Sequence, residues 1–366
     1  MQKGECLCRS LPLRERKGRI LTLFRARRRV ATCGSVQNIM RIPILDGYRA
    51  ASIIFVLCGH LLPIGPKAWR LNEAVAALGM TMFFSLSGFL IASQLLKDQH
   101  IGRFLVRRAA RILPLAFAYC AVAFLILSCN PAAMLFSSLF LINYLHSWLG
   151  GLNGHLWSLC VEVHFYIAIA AVVAIGGRKS VWIVWPALVA VTATRVLTST
   201  PISIETHLRV DEILSGACLA TCYHAWSQLR RAHWMMAFVA LLAVLAASSP
   251  LVPALPYARP YLTALLFVAV ANQGETWLRA CFTSWPARYL AEVSYALYVI
   301  HPATTIGWLS GSGTFDKYVI KRPISIALTF TLAHFSTFHY ERWWQRKSKT
   351  LLPNDRLPDQ SALARV

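Results

Sequence analysis

Long blocks of apolar residues alternate with short polar clusters along most of the chain. Clear examples of such blocks are Ala50–Leu62, Ala74–Leu96, Ala116–Ser128 and Tyr166–Ile175. A helix needs roughly 20 mostly apolar residues to cross a hydrocarbon core of about 30 Å. The pattern therefore predicts an all-α, polytopic membrane protein.

About ten transmembrane helices fit the pattern. The predicted spans are Arg49–Pro63, Ala77–Leu96, Ile112–Ser128, Leu156–Ile175, Val181–Leu197, His207–Ala225, Trp234–Ser248, Ala258–Asn272, Leu290–Leu309 and Val319–Trp343. Pro131–Trp148 is apolar, but polar groups interrupt it. A full crossing there would move every later loop to the other side and weaken the positive-inside bias. We therefore predict that this segment is an outer-face or re-entrant helix.

Composition and charge support this interpretation. Apolar residues make up 57% of the 366 residues and charged residues only 14%, whereas soluble domains carry about 25% charged residues. The net charge of +22 is not taken as a sign of nucleic-acid binding. The Lys and Arg residues lie in short clusters between apolar blocks, which is the pattern that sets membrane orientation. With ten spans, most of these clusters face the cytoplasm when both termini are cytoplasmic.

Three regions follow from this pattern. Residues 1–40 hold ten Lys or Arg against two Glu and no apolar core of a signal peptide. They are interpreted as a basic cytoplasmic tail, either disordered or the product of a start placed ahead of Met40. Residues 41–345 form the predicted transmembrane domain, and residues 346–366 a second cytoplasmic tail. The ten scattered cysteines lack metal-ligand spacing, so no metal site is predicted.

Ionisable side chains within spans are costly and mark candidate sites. Arg49 and His60 are eleven residues apart, so a helix places them within about 20° of one face and about 16 Å apart. We expect Arg49 at the cytoplasmic edge and His60 near the bilayer middle. The alternative for His60 is a structural histidine that hydrogen bonds a neighbouring carbonyl group.

Arg108 and Arg111 are three residues apart and share a helix face, at the same predicted depth as Arg49. Guanidinium groups match phosphate geometry, and coenzyme A carries a pyrophosphate and a ribose phosphate. An acyl-CoA site is one hypothesis for these arginines. The alternative is that basic residues at a cytoplasmic helix start serve membrane orientation alone.

Glu162 lies about 9 Å in from the outer end of the fourth span. A carboxylate beside His60 would fix the tautomer of the imidazole and raise its basicity, as a general base requires. The alternative is a structural ion pair with Arg195 or Arg209. Arg209 and Asp211 are interpreted as a structural or acceptor-side polar network, and His301 as a structural hydrogen-bonding group.

Five segments, in order, carry a specific resemblance. They are Ile42–Ala50 continued through Gly59-His60, Phe83–Ile91, Phe104–Pro114, Leu156–Tyr166 and Ser294–Pro302, with a weaker match at Arg209–Gly216. Together they resemble the acyltransferase-3 membrane family, which includes O-antigen, nodulation-factor and exopolysaccharide acetylases. The resemblance covers Arg41 to Trp344. Departures are Cys160, His164 and the Arg-Trp-Trp that follows Glu341.

The resemblance implies ten spans with cytoplasmic termini in a bacterial inner membrane, and an acyl-CoA donor that is usually acetyl-CoA. It implies catalytic roles for His60, Glu162 and Arg49, donor binding by Arg108 and Arg111, and no metal. The expected acceptor is a hydroxyl of a carbohydrate or lipid-linked glycan, as in lipopolysaccharide or exopolysaccharide modification. The acceptor is expected to enter near Trp148, Trp157 and the Gly150–Gly154 loop.

Two alternatives stay open at the sequence level. One is acylation of a small secondary metabolite, which changes only the acceptor. The other is a transporter or exporter without chemistry, since intramembrane His, Arg and Glu also mark proton-coupled transport. The chain continues only briefly after the last predicted span, so we expect no fused extracytoplasmic domain.

Overall fold

Helices form the secondary structure of the computed structural model, which describes residues 42–125, 130–229, 231–305, 313 and 315–350. Within these residues there is no β-strand, only one isolated bridge between Ala232 and Gln273. The helices are α1 Ile44–Leu61, α2 Leu71–Lys97, α3 Ile101–Leu125, α4 Pro131–Ser138, α5 Trp157–Gly176, α6 Val184–Leu197, α7 Thr206–Arg209, α8 Asp211–Thr221, α9 Tyr223–Ser227, α10 Trp234–Ser248, α11 Arg259–Ala271, α12 Trp277–Phe282, α13 Trp285–Ile300, α14 Arg322–Phe335 and α15 Arg342–Thr350.

The predicted all-α membrane class is confirmed. Five helical stretches among the described residues are long and apolar enough to cross a membrane, and α10 and α11 are shorter apolar helices. Each of the ten predicted spans contains helix. The ends of the third and ninth predicted spans, 126–128 and 306–309, lie outside the described residues, as do residues 1–40 and 351–366 of the two predicted tails.

Several helix boundaries differ from the predicted spans. The third helix begins at Ile101, eleven residues before the predicted span, because its first three turns carry arginines that a search for apolar residues omits. The sixth predicted span is not one helix but three short ones, α7 to α9. Within 131–148, α4 has eight residues and is about 12 Å long. That segment therefore does not cross as one helix.

α2 is the most buried of the five long helices and crosses α8 at very short range. A Cβ atom on Gly88 of α2 would lie 1.8 Å from the carbonyl oxygen of Ile213, and one on Gly216 of α8 would lie 1.7 Å from that of Ser85. Reciprocal glycines let the two backbones touch, as small residues do between membrane helices. This contact holds the start of α8, with the buried carboxylates of Asp211 and Glu212, close to α2.

The C-terminal end of α1 is tied to two other helices. After α1 the chain turns extended at Leu62, which leaves the last carbonyl groups of the helix without helical partners. The side-chain amide of Asn72 on α2 donates to the carbonyl oxygens of Gly59 and Leu62, at 2.7 and 2.6 Å. Arg322 of α14 donates to that of Leu61 at 2.5 Å. The last turn of α1 is therefore held in place from two sides.

Candidate active site

Three histidines from different parts of the chain meet at the C-terminal end of α1. His60 Nδ1 lies 2.8 Å from His301 Nε2, and the two rings stack with their centres 5.0 Å apart. The ring of His155 stands nearly perpendicular to that of His301 at 5.5 Å. His301 is 2% exposed and His155 7%, whereas His60 is exposed. His60 is thus the member of the cluster that an incoming molecule reaches first.

The hydrogen bonds of this cluster define the tautomer of His60. His301 Nδ1 lies 2.7 Å from the carbonyl oxygen of Tyr298, and a carbonyl oxygen only accepts, so Nδ1 of His301 carries the hydrogen. In a neutral ring, Nε2 of His301 then accepts, and Nδ1 of His60 must donate to it. The remaining nitrogen of His60, Nε2, therefore keeps a lone pair that can accept a proton or attack a carbon atom.

His155 and Tyr298 complete this end of the site. The hydroxyl of Tyr298 donates to the carbonyl oxygen of His155 at 2.5 Å and lies 2.6 Å from the hydroxyl of Ser158. His155 Nε2 lies 3.1 Å from the carbonyl oxygen of Val299, and its buried Nδ1 has no hydrogen-bond partner in the described structure. These bonds join the start of α5 to the end of α13 and hold His155 beside His301.

A cavity of about 200 Å³ opens beside the histidines. His60, His155 and Tyr298 lie on its wall together with Trp157, Arg209 and Arg259. The predicted acceptor-side aromatic Trp157 therefore does line a cavity next to His60. Trp148 is not among the residues that line it; its ring packs against Phe136 at 5.0 Å.

The predicted arginine cluster forms at a different level of the bundle. Arg49 lies within electrostatic range of Arg108, Arg111 and Glu162, so residues from α1, α3 and α5 converge. Arg108 donates to the side-chain oxygen of Gln94 at 2.8 Å, and its guanidinium lies over the rings of Phe104 and Tyr166, at 5.7 and 5.6 Å. Arg111 also lies within electrostatic range of Glu341. Three cations share one region, as the sequence spacing predicted.

Glu162 belongs to this arginine region and not to the histidine cluster. The carboxylate accepts hydrogen bonds from Ser87 at 2.6 Å and from Tyr166 at 2.5 Å, and it is 4% exposed. The predicted pairing of Glu162 with His60 is wrong, because the carboxylate is bound to Ser87 and Tyr166 and His60 is bound to His301. The alternative partners are wrong as well: Arg195 pairs with Asp211, and Arg209 with Glu212.

His60 lies in the last turn of α1, which ends one residue later. Its predicted depth near the bilayer middle stays a prediction. Arg49 lies in the second turn of α1, about 16 Å away along the axis. One helix therefore carries both predicted groups, about three turns apart.

Sequence reasoning assigned His301 only a structural hydrogen bond, and His155 no role. The sequence did contain a sign that His301 is oriented locally. Tyr298 lies three residues before His301 near the end of an apolar run, within reach of a hydrogen bond between them. What could not be read from the spacing is the partner, since 241 positions separate His60 from His301.

Comparisons with known proteins find one family profile and several relatives of this chain. The profile of a family described as "Acyltransferase domain" matches residues 42–338. A provisionally named O-acetyltransferase of Staphylococcus aureus strain COL is 30% identical over 155 residues, which is 34% of this chain and 24% of that protein. A similarly named protein of strain MSSA476 is 29% identical over 155 residues, again 34% of this chain and 24% of that protein. The match thus spans about a quarter of these relatives. No solved structure matches the chain significantly.

Proposed function

The chain belongs to the acyltransferase-3 family of acyltransferase domains, and from this premise we propose that it is a membrane O-acyltransferase acting at His60. The observation that carries the proposal is the His60–His301 contact of 2.8 Å. It leaves His60 Nε2 with a free lone pair on an exposed side chain at the wall of a cavity. A base or nucleophile in this state is what acyl transfer from a thioester requires.

The proposed donor is an acyl-CoA, and most simply acetyl-CoA. Its phosphates would lie against Arg49, Arg108 and Arg111, whose positive charges are brought together near one end of α1. The extended pantetheine arm would then carry the thioester along α1 towards His60. Charge-assisted hydrogen bonds from arginines to phosphate oxygens are among the strongest that proteins make.

The proposed acceptor is a hydroxyl group on a carbohydrate or lipid-linked glycan, such as a precursor of lipopolysaccharide or exopolysaccharide. It would enter the cavity beside His60, where Trp157 offers an aromatic face. The names of the Staphylococcus aureus relatives concern O-acetyl transfer, which supports a hydroxyl acceptor. Acylation of a small secondary metabolite would use the same chemistry.

In the proposed reaction, the oxygen of the acceptor hydroxyl attacks the thioester carbonyl carbon. His60 Nε2 accepts the proton of that hydroxyl at the same time. The carbon–sulfur bond breaks, the coenzyme A thiolate leaves, and it takes the proton from Nε2 of His60. The products are an ester and free coenzyme A. His301 accepts a hydrogen bond from Nδ1 of His60 throughout, which stabilises the imidazolium that forms.

We place the protein in a bacterial cytoplasmic membrane, with multiple crossings and cytoplasmic termini, so that the donor arrives from the cytoplasm and the acceptor from the opposite side. The apolar helices support membrane insertion. The bias of Lys and Arg along the sequence supports this orientation.

The proposal can be tested in membranes from a deletion strain of the source organism, complemented with the wild-type chain or with His60→Ala. Acetyl-CoA labelled in its acetyl group should yield an alkali-labile labelled ester and an equal amount of free coenzyme A with the wild type only. Immunoblots should show equal membrane levels of both proteins. Wild-type membranes that leave the thioester intact while moving a solute would establish a transporter instead.

A further inference from the structure

Arg209 and Arg259, which line the same cavity as His60, belong to a buried charge cluster with an excess of positive charge. Three arginines and two carboxylates compose it; they are Arg195, Arg209, Arg259, Asp211 and Glu212, and each is at most 3% exposed. Both terminal nitrogens of Arg195 are used, because they pair with Asp211 and donate to the carbonyl oxygens of Pro201 and Pro256; only its buried Nε lacks a hydrogen-bond partner in the described structure. The other two arginines share the single carboxylate of Glu212.

This sharing leaves guanidinium groups unsatisfied. Arg259 Nε donates to Glu212 Oε1 at 2.6 Å, and Arg209 Nη2 lies 3.3 Å from Glu212 Oε2. The buried atoms Nε and Nη1 of Arg209 and Nη2 of Arg259 have no hydrogen-bond partner in the described structure. Buried polar groups are nearly always paired, so these free N–H groups call for an acceptor that enters the cavity.

The chemistry of that acceptor follows from the donors. A guanidinium only donates and stays charged, so its missing partner must supply oxygen or nitrogen lone pairs. The excess positive charge favours an anion over a neutral group. The hydroxyl of Ser248, on the same cavity wall and 2% exposed, is also unpartnered. Glu73 is the one carboxylate on the wall besides the buried cluster, and it is largely exposed and paired with Arg70.

We propose that Arg209 and Arg259 bind an anionic group, a carboxylate or a phosphate ester, of the acceptor substrate while its hydroxyl faces His60. This inference rests on the proposed acyl transfer and narrows the acceptor to an acidic or phosphorylated molecule. A cavity of about 200 Å³ equals several water volumes of about 30 Å³. It therefore holds an anionic group and part of a sugar ring, with the rest of the acceptor outside.

Thermal unfolding of the detergent-purified chain tests the site without knowledge of the acceptor. Sodium phosphate and sodium acetate are compared with sodium chloride at equal ionic strength. We expect at least one of the two anions to raise the Tm of the wild type by about 2–4 °C. A response to phosphate indicates recognition of a phosphate ester, and a response to acetate indicates recognition of a carboxylate. The increase should vanish in Arg209→Gln and persist in Arg288→Gln, an exposed arginine distant in sequence from the cluster.

Arg209→Lys is the second variant if Arg209→Gln does not fold. It retains the charge beside Glu212 but lacks the guanidinium fork, so its anion response should fall at least severalfold. An unchanged response in both folded Arg209 variants, or no response of the wild type to either anion, would overturn the anion site. His60→Ala should respond like the wild type. Undiminished acyl transfer by His60→Ala would refute the proposed reaction, and this outcome is independent of the anion response that tests the anion site.

A kinetic readout links the anion to the acceptor and not to the donor. With membranes as the acceptor source, the active anion should raise the apparent KM for acceptor in the wild type, and this rise should disappear in Arg209→Gln. A rise in the KM for acetyl-CoA that disappears in Arg209→Gln would instead show that coenzyme A phosphates occupy the cavity, which contradicts the proposal.

Discussion

His60 Nδ1 and His301 Nε2 lie 2.8 Å apart although 241 positions separate them in the chain. His301 is 2% exposed, and its Nδ1 is bound to the carbonyl oxygen of Tyr298. When the ring is neutral, Nε2 of His301 can therefore only accept a hydrogen bond from His60. The exposed imidazole is therefore oriented by a buried imidazole, in the position where many enzymes use a carboxylate.

The first prediction concerns this pair. His60→Ala should lower acyl transfer by about 100-fold or more, the usual contribution of a general base. His301→Ala removes the hydrogen-bond acceptor that orients His60 and should also lower kcat strongly. His301→Gln, whose amide oxygen can still accept from His60, should retain more activity than His301→Ala. Equal activity of His301→Ala and the wild type would contradict a positioning role for His301.

Arginine variants should affect the donor alone. Arg108→Lys loses the bond to Gln94 and the stacking over Tyr166, and we expect a KM for acetyl-CoA about 10-fold higher. Acetyl-pantetheine, which lacks the phosphates, should be used equally by the wild type and Arg108→Lys. Arg107→Lys, at an exposed neighbouring position, is the matched control. A loss of activity with both donors would mean that Arg108 supports the fold and not phosphate binding.

Glu162 should prove to be an electrostatic partner of the arginines. Glu162 is the buried carboxylate within electrostatic range of Arg49 and Arg108. Leaving buried charges without a counter-charge costs up to about 3–5 kcal/mol, so Glu162→Ala should lower the Tm markedly. Glu162→Gln keeps an oxygen that can accept from Ser87 and should be less destabilised. Because Glu162 does not contact His60, Glu162→Gln should keep far more acyl transfer than His60→Ala. Equal losses in the two variants would refute this separation of roles.

The glycine crossing of α2 and α8 should tolerate no side chain. Gly88→Ala would bring a Cβ atom to 1.8 Å from the carbonyl oxygen of Ile213, and overpacking of this kind costs about 1–3 kcal/mol or more. We expect a lower Tm in detergent and poor membrane accumulation. Gly102→Ala on α3 is the control, because a Cβ atom there meets nothing within 4 Å. Its Tm should be equal or higher, since alanine favours helix over glycine.

The all-α architecture could be predicted from the sequence because apolar block length is a direct consequence of bilayer thickness. Arg49 and His60 could be placed on one helix because their spacing repeats the helical period. Arg108 and Arg111 were grouped with Arg49 from depth alone, and the structure does bring the three within electrostatic range.

Contacts between distant helices could not be predicted in this way. The depth of a residue along a span does not show how the helix is rotated about its own axis. Glu162 was therefore expected beside His60, but its side chain faces Ser87 and Tyr166. The break of the sixth span into α7, α8 and α9 depends on Arg209, Asp211 and Glu212 finding partners in other helices, among them Arg195 and Arg259. No local pattern encodes those pairings.

The amide of Asn72 and the guanidinium of Arg322, both bound to carbonyl oxygens at the end of α1, restrict how a reaction at His60 can proceed. Because these bonds fix the backbone at the end of α1, His60 stays in place during the reaction and does not carry an acyl group from one position to another. In the proposed reaction, the distance between Arg49 and His60 must be covered by the reach of the donor's own flexible arm. Analogues with a shortened arm should then bind without reacting.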